Sequence, residues 1–167
     1  VAQARRGGCE ASPAKMSEKV GENMTRDEAK TRLERYTGLR LEVRIRLERL
    51  ATLQQMDRER PSPCGSRSDE YAREIAPIVQ ANRREMAEIE AAVAALPDPL
   101  ERAVLRLRYL EPSKDPRTGK NSIRHTTWKD ISAVLMGNTR EDGIHACLRF
   151  HSNALSHLAA SWPEPEK

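Results

Sequence analysis

LPDPLERAVLRLRYLE (residues 96–111), TWKDISAVLM (127–136) and ACLRFHSNALSHL (146–158) are the three segments on which the fold turns. In the first, Asp98 can cap a helix, and Pro99 takes the first helical position, where its missing N–H is not needed. Glu101 falls where a capping box wants a carboxylate. Leu100, Val104, Leu107 and Leu110 recur on one face of a 3.6-residue period, while Arg102, Arg106 and Arg108 take other faces. Thr127 with Asp130 offers a second cap, and Trp128, Ile131, Val134 and Leu135 are the expected buried face of the helix that follows. A polar turn, NTREDG (138–143), leads to a last helix with Ile144, Cys147, Leu148, His151, Leu155 and Leu158 at three- and four-residue steps. Arg149, Ser152, Asn153 and Ser156 gather on its outward side.

Upstream, Thr25 to Glu28 spells a capping box, with Met24 and Ala29 placed as a hydrophobic staple. A long helix is expected from there to Met56 or Asp57. Its seam is Leu33, Tyr36, Val43, Leu47 and Leu50, if Arg40 is admitted to it. Gly38 weakens its middle by about 1 kcal/mol relative to alanine. RPSPCGS (60–66) breaks the pattern as a loop. A second long helix runs from Ser68 or Asp69 to Ala95, with the stripe Ile75, Ile78, Val79, Met86, Ile89, Val93 and Leu96. Asn82 is polar within that stripe, and Pro77 should kink the helix or mark its true first turn. Two long amphipathic helices joined by a loop read as an antiparallel helical hairpin, either a spacer or a partner surface. Residues 1–23 lack periodicity and are expected to be a disordered leader, a basic arm at Arg5 and Arg6 being the other reading. The expected chain is all-α: leader (1–23), coiled-coil-like hairpin (24–96), helix-turn-helix domain (97–160) and tail (161–167).

Composition narrows the function. Charged residues at 32 % against 4 % aromatics, with a mean hydropathy of −0.74, describe solvated helices over thin cores. The net charge of +4 permits an anionic partner without demanding one, so its distribution decides. Cys9, Cys64 and Cys147 have no paired spacing, so neither a disulfide framework nor a zinc motif is expected, and a reducing cytosol fits. No apolar run approaches the roughly 20 residues of a membrane span, and no signal-peptide core is present. A cytoplasmic, membrane-free protein is expected. His145, His151 and His157 are six apart, which is not metal-ligand spacing. Residues 119–122 (GKNS) echo a phosphate loop but lack its upstream glycine and preceding strand. With no nucleophile–base pair or paired carboxylates, no enzyme and no cofactor are expected.

The three C-terminal segments resemble the DNA-binding region 4 of sigma-70-type factors. The likeness is closer to phage and prophage regulators in which that module follows a helical N-terminal half. That pattern has a leucine-proline start and an ER-x-VL-x-LRYL helix, matched here from Leu96 to Leu110. A W-x-x-I-A helix follows, matched at Trp128 and Ile131, then a last helix ending R-x-H-x-x-AL-x-x-L, matched at Arg149, His151, Ala154, Leu155 and Leu158. Late-transcription activators of the RinA and ArpU type belong to the same broad group, and Ala29, Lys30 and Leu33 resemble their AK-x-x-L opening. The likeness covers most of residues 24–158, specific in the last two helices and diffuse upstream. The chain departs from the pattern in a long insert, EPSKDPRTGKNSIRH (111–125), in a longer turn before the last helix, and in Ser132 where the pattern has alanine.

The resemblance implies a sequence-specific transcription regulator that reads double-stranded DNA with its last helix. The hairpin would serve homodimerisation or contact with RNA polymerase. Independently of any family, a recognition helix needs one apolar side and, opposite it, side chains that reach bases and phosphates. Arg149 suits guanine, Asn153 adenine, and Ser152 a base edge or phosphate. His145, Arg140, Lys129, Thr127, Arg124 and Lys120 complete the candidate DNA-binding set. An ordinary solvated face is the other reading of these residues. Two alternatives come from other classes: a DNA-packaging protein of small-terminase type, which usually places its DNA-binding part first, and a helical interaction protein that binds no DNA. A complete sigma factor is disfavoured, because nothing upstream offers an aromatic surface to stack on melted bases.

Overall fold

Thr25 opens the first helix with the full capping box: its Oγ1 accepts from Glu28 N at 3.2 Å, and Glu28 Oε2 accepts from Thr25 N at 2.7 Å. The computed structural model describes residues 24–60, 65–114, 117, 119, 122 and 124–162, and in it helix α1 spans Arg26–Glu59. The expected leader and the basic pair at Arg5 and Arg6 lie outside the described residues. Helix α2 (Arg67–Ala94) is started by Ser66, whose Oγ accepts from Asp69 N at 3.1 Å. Asp57 reaches across from α1 and accepts from Ser68 N (2.9 Å) and Ser66 Oγ (2.8 Å). These bonds hold its carboxyl below the usual carboxylate range. Pro77 lies well inside α2, so it is not the first turn of that helix.

The two helices lie side by side and antiparallel. Asp57 meets Ser68 at one end, Asn82 Nδ2 donates to Glu42 Oε2 midway (2.9 Å), and Arg35 pairs with Glu85 (3.1 Å) farther on. Tyr36 donates to Glu90 near the far end, and desolvation together with that carboxylate pushes its phenol up to about 12. Val43, Ile75 and Val79 form a small distal core flanked by Leu50 and Tyr71. Leu47, expected in the seam, is exposed, as are Ile45 and Met56. The helix buries Leu39 instead, one of the residues on the side turned towards α2 and the C-terminal helices.

Helix α3 (Pro99–Leu105) begins at Asp98, whose Oδ1 accepts from Leu100 N (2.7 Å) and Glu101 N (3.3 Å). Glu101 does not complete a capping box. It is buried, and its Oε2 lies 2.7 Å from His157 Nδ1 near the end of the chain. Leu100 is exposed, and burial goes to Val104, Leu105 and Tyr109. Tyr109 is brought to this face by a π-helical turn, Arg106–Leu110, closed by Glu111 N donating to Arg106 O at 2.8 Å. The wider turn rotates the residues after Leu105, so Tyr109 points inward while Leu107 and Leu110 are half-buried. Thr37 and Arg40 of α1 donate to the carbonyls of Tyr109 (3.5 Å) and Leu110 (2.8 Å), which the end of a helix leaves without partners.

Helices α4 (Trp128–Met136) and α5 (Glu141–Ser161) complete the described elements, all of which are helical. One continuous core joins Leu33 and Tyr36 of α1, Ile89 and Val93 of α2, Leu96, Leu105 and Tyr109, and Leu155 and Leu158 of α5. Residues on both sides of the prolines at 97 and 99 share it. Leu33→Ala should therefore destabilise the chain by about 2–5 kcal/mol. The far-UV signal and the near-UV signal of Trp128 and Trp162 should then fall at one common, lowered midpoint. Two separate midpoints would mean two independent cores.

Candidate nucleic-acid interface

Local sequence brings α4 and α5 close together. Thr127 caps α4 by accepting from Asp130 N at 3.2 Å and donating to Asp130 Oδ2 at 2.6 Å. Gly137 ends it at φ +68°, a left-handed conformation that side chains rarely adopt. Because α5 starts at Glu141, the link is residues 137–140, shorter than the expected turn 138–143. Glu141 and Asp142 form the first turn of α5, where carboxylates complement the positive end of the helix dipole. The approach is tight: a Cβ on Gly143 would lie 2.5 Å from both Asn138 Oδ1 and Ser132 Oγ. Ser132 is fully buried and donates to Asn138 O at 2.8 Å, while Asn138 Oδ1 accepts from Arg140 N at 3.1 Å. The buried serine thus has an internal partner for its hydroxyl. Cys147 is buried beside it, and burial pushes its thiol pKa up.

The buried face of α4 is Ile131 and Ser132. Val134, expected inside, is 68 % exposed, because α4 meets α5 through Ser132 and turns Val134 outward. Trp128 and Leu135 are half-buried.

A second junction fixes the level of α4 along α5. Tyr109 Oη lies 2.9 Å from His151 Nε2, with the two rings stacked 5.8 Å apart. His125 packs edge-on to Tyr109 at 5.1 Å, and Trp128 edge-on to His151 at 4.9 Å. The Arg108 guanidinium sits 4.7 Å from the Trp128 ring centre and donates to the Thr126 carbonyl. Burial, and then the charges of Arg108, Lys30 and Arg26, push the His151 imidazole down to about 4. Burial likewise lowers His125, with Arg108 adding to it. At neutral pH the His151 ring is uncharged, packed between Tyr109 and Trp128.

Outward from this support, His145, Arg149 and Asn153 are exposed at four-residue steps along α5 and share a face. Arg140 is the exposed residue before the first turn of α5, and its side chain makes no capping bond. Ser152 is half-buried, because Arg26 Nη2 of α1 donates to its Oγ at 2.8 Å. Lys129 is exposed in the first turn of α4, and Thr127 is engaged as its cap. The Trp128–His151 contact sets that turn level with the middle of α5. Arg124 is exposed, its backbone N–H donating to Ser122 Oγ at 3.0 Å, and Lys120 lies outside the described residues.

Three residues at this surface escape the sequence pattern. Leu148 shares the spacing of the buried stripe yet is exposed beside Arg149. Arg26 and Lys30 come from α1, and the Arg26–Ser152 bond spans 126 positions, which no local periodicity reports. Gly137 was the available signal for the true start of α5, since a left-handed glycine after a helix ends it there.

Among the described residues, no group of three or more His, Cys, Asp or Glu is placed to hold a metal ion, and no helix is long and apolar enough to cross a membrane. No protein-family model matches the chain, and no curated protein or solved structure matches it.

Two measurements check this geometry. Gly143→Ala should destabilise the chain by about 1–3 kcal/mol through overpacking. Gly38→Ala, in open space within α1, should stabilise it by roughly 0.4–1 kcal/mol. Equal effects from the two substitutions would mean that α4 and α5 do not approach so closely. The second measurement is pH dependence. The folded pKa of His151, about 4, lies below its ordinary 6.5, so the unfolded chain takes up the proton first as pH falls. The stability tied to His151 is complete above that ordinary value and is lost as pH falls towards about 4. Denaturation midpoints should drop across this window, and less steeply in His151→Gln. Identical slopes in the two proteins would refute the assignment.

Proposed function

We propose that the chain is a sequence-specific DNA-binding transcription regulator of phage or prophage type, with α4 and α5 as its helix-turn-helix and α5 as the element that enters the major groove. The observation that carries this reading is the exposed row His145, Arg149, Asn153 on a helix whose other sides are held by α4, α3 and α1. Such a helix has its orientation fixed before it meets DNA, and its free side chains match base chemistry. Arg149 can fork onto a guanine edge, Asn153 can pair with adenine, and exposed Leu148 can meet a thymine methyl. Arg140, Lys129 and Arg124 supply positive charge for phosphates around that row. In this reading α1 and α2 are a helical hairpin that carries the domain. Its exposed Ile45, Leu47 and Met56 offer a surface to a second copy of the chain, RNA polymerase being the other candidate partner.

Selection from a random-sequence duplex pool should enrich one motif, and binding to that motif should weaken as salt rises. Arg149→Ala should cost about 1–3 kcal/mol of binding and relax discrimination at one base position while leaving the circular dichroism unchanged. Absent or salt-insensitive binding would sink this reading in favour of a helical interaction protein.

A further inference from the structure

The exposed face of α5 is bordered on one side by the first turns of α1. Arg26 Nη2 donates to Ser152 Oγ at 2.8 Å, which leaves the hydroxyl hydrogen of Ser152 without an acceptor among the described residues. Lys30 is exposed one turn farther along α1, and its charge bears, with that of Arg26, on His151, the neighbour of Ser152. Leu155 and Ala159, beyond this point on α5, are buried in the core that α1 shares. Base edges can reach α5 along the exposed row from His145 to Asn153, and a DNA strand lying there passes the α1–α5 junction.

Three carboxylates stand near these two cations. Glu28 is committed to the N–H and hydroxyl of Thr25, and Glu34 makes an exposed pair with Lys30 at 3.7 Å, of the weak, solvent-screened kind. Asp27 is exposed and adds one negative charge.

We propose, resting on the DNA-binding reading above, that this junction is a phosphate seat in which one backbone phosphate of the bound duplex is held by Arg26, Lys30 and the Ser152 hydroxyl. Helix α1 is then a second DNA-contacting element, and Ser152 serves the backbone and not a base. The contact carries no sequence information, but it sets how far α5 slides along the groove.

The test is binding to a random-sequence duplex, with log K followed against log salt. The double substitution Arg26→Gln with Lys30→Gln should lower the steepness by about 0.9, the loss of one phosphate contact. Arg26→Lys with Lys30→Arg should keep it, and Ser152→Ala should weaken binding without changing the slope. Both cations are exposed and glutamine keeps helix propensity, so circular dichroism should be unaffected. A wild-type protein that binds with a salt slope equal to that of the double variant overturns the seat and leaves the DNA reading standing. A wild-type protein without salt-dependent binding removes both.

Discussion

Tyr109 is buried where three parts of the chain meet, and a buried phenol needs a polar partner for its hydroxyl. His151 of α5 supplies that partner, while the Tyr109 carbonyl accepts from Thr37 of α1 and the ring takes His125 against its side. This arrangement exists only because the backbone widens into a π turn at Arg106–Leu110. An unbroken α-helix would have presented Leu107 and Leu110 on the face begun by Val104. The widened turn instead puts an aromatic hydroxyl at the helix-crossing point, and the surrounding histidines are kept neutral by burial and by the cations around them.

From that point α5 is divided along its length. Towards its C-terminal end Leu155, Leu158 and Ala159 belong to the shared core, Glu101 of α3 meets His157, and Arg26 of α1 reaches Ser152, while Ser156 and Ala160 stay exposed. Its N-terminal half touches α4 on one side only, across Gly143 and Cys147 against Ser132. The free surface is accordingly the stretch with Glu141, His145, Leu148 and Arg149, continued by Asn153. The C-terminal part of α5 anchors the helix, because it packs into a core built from α1, α2 and α5 together.

The sequence marked this architecture unevenly, and the reasons are local. Caps at Thr25, Asp98 and Thr127 were legible because a side chain bonding its own first turn depends only on neighbouring residues. The stripe of α2 was legible for the same reason, whereas in α1 the expected Leu47 is exposed and Leu39 is buried. Glu101 was not: its position suits a capping box, but burial against His157 won, and that partner is 56 positions away. Val134 and Leu148 are exposed despite their spacing, because periodicity identifies an apolar face without saying how far a neighbouring helix covers it. The candidate row His145, Arg149, Asn153 could be picked out by spacing, whereas the contribution of α1 to the same surface is purely tertiary.

A long segment separates the π turn from α4, and length alone would loosen the placement of α4. The contacts at its two ends argue otherwise. Arg108 and Tyr109, consecutive residues just before it, hold Thr126, Trp128 and His125 just after it. With the ends fixed by a charged hydrogen bond, a cation–π contact and a ring pair, residues between them add little entropy cost as they lengthen, since closure entropy grows only with the logarithm of loop length. The position of α4 is thus set by the clamp and not by the length of what it closes. The crossing of α4 and α5 is fixed separately, by the close approach of Gly143 to Ser132 and the Ser132–Asn138 bond.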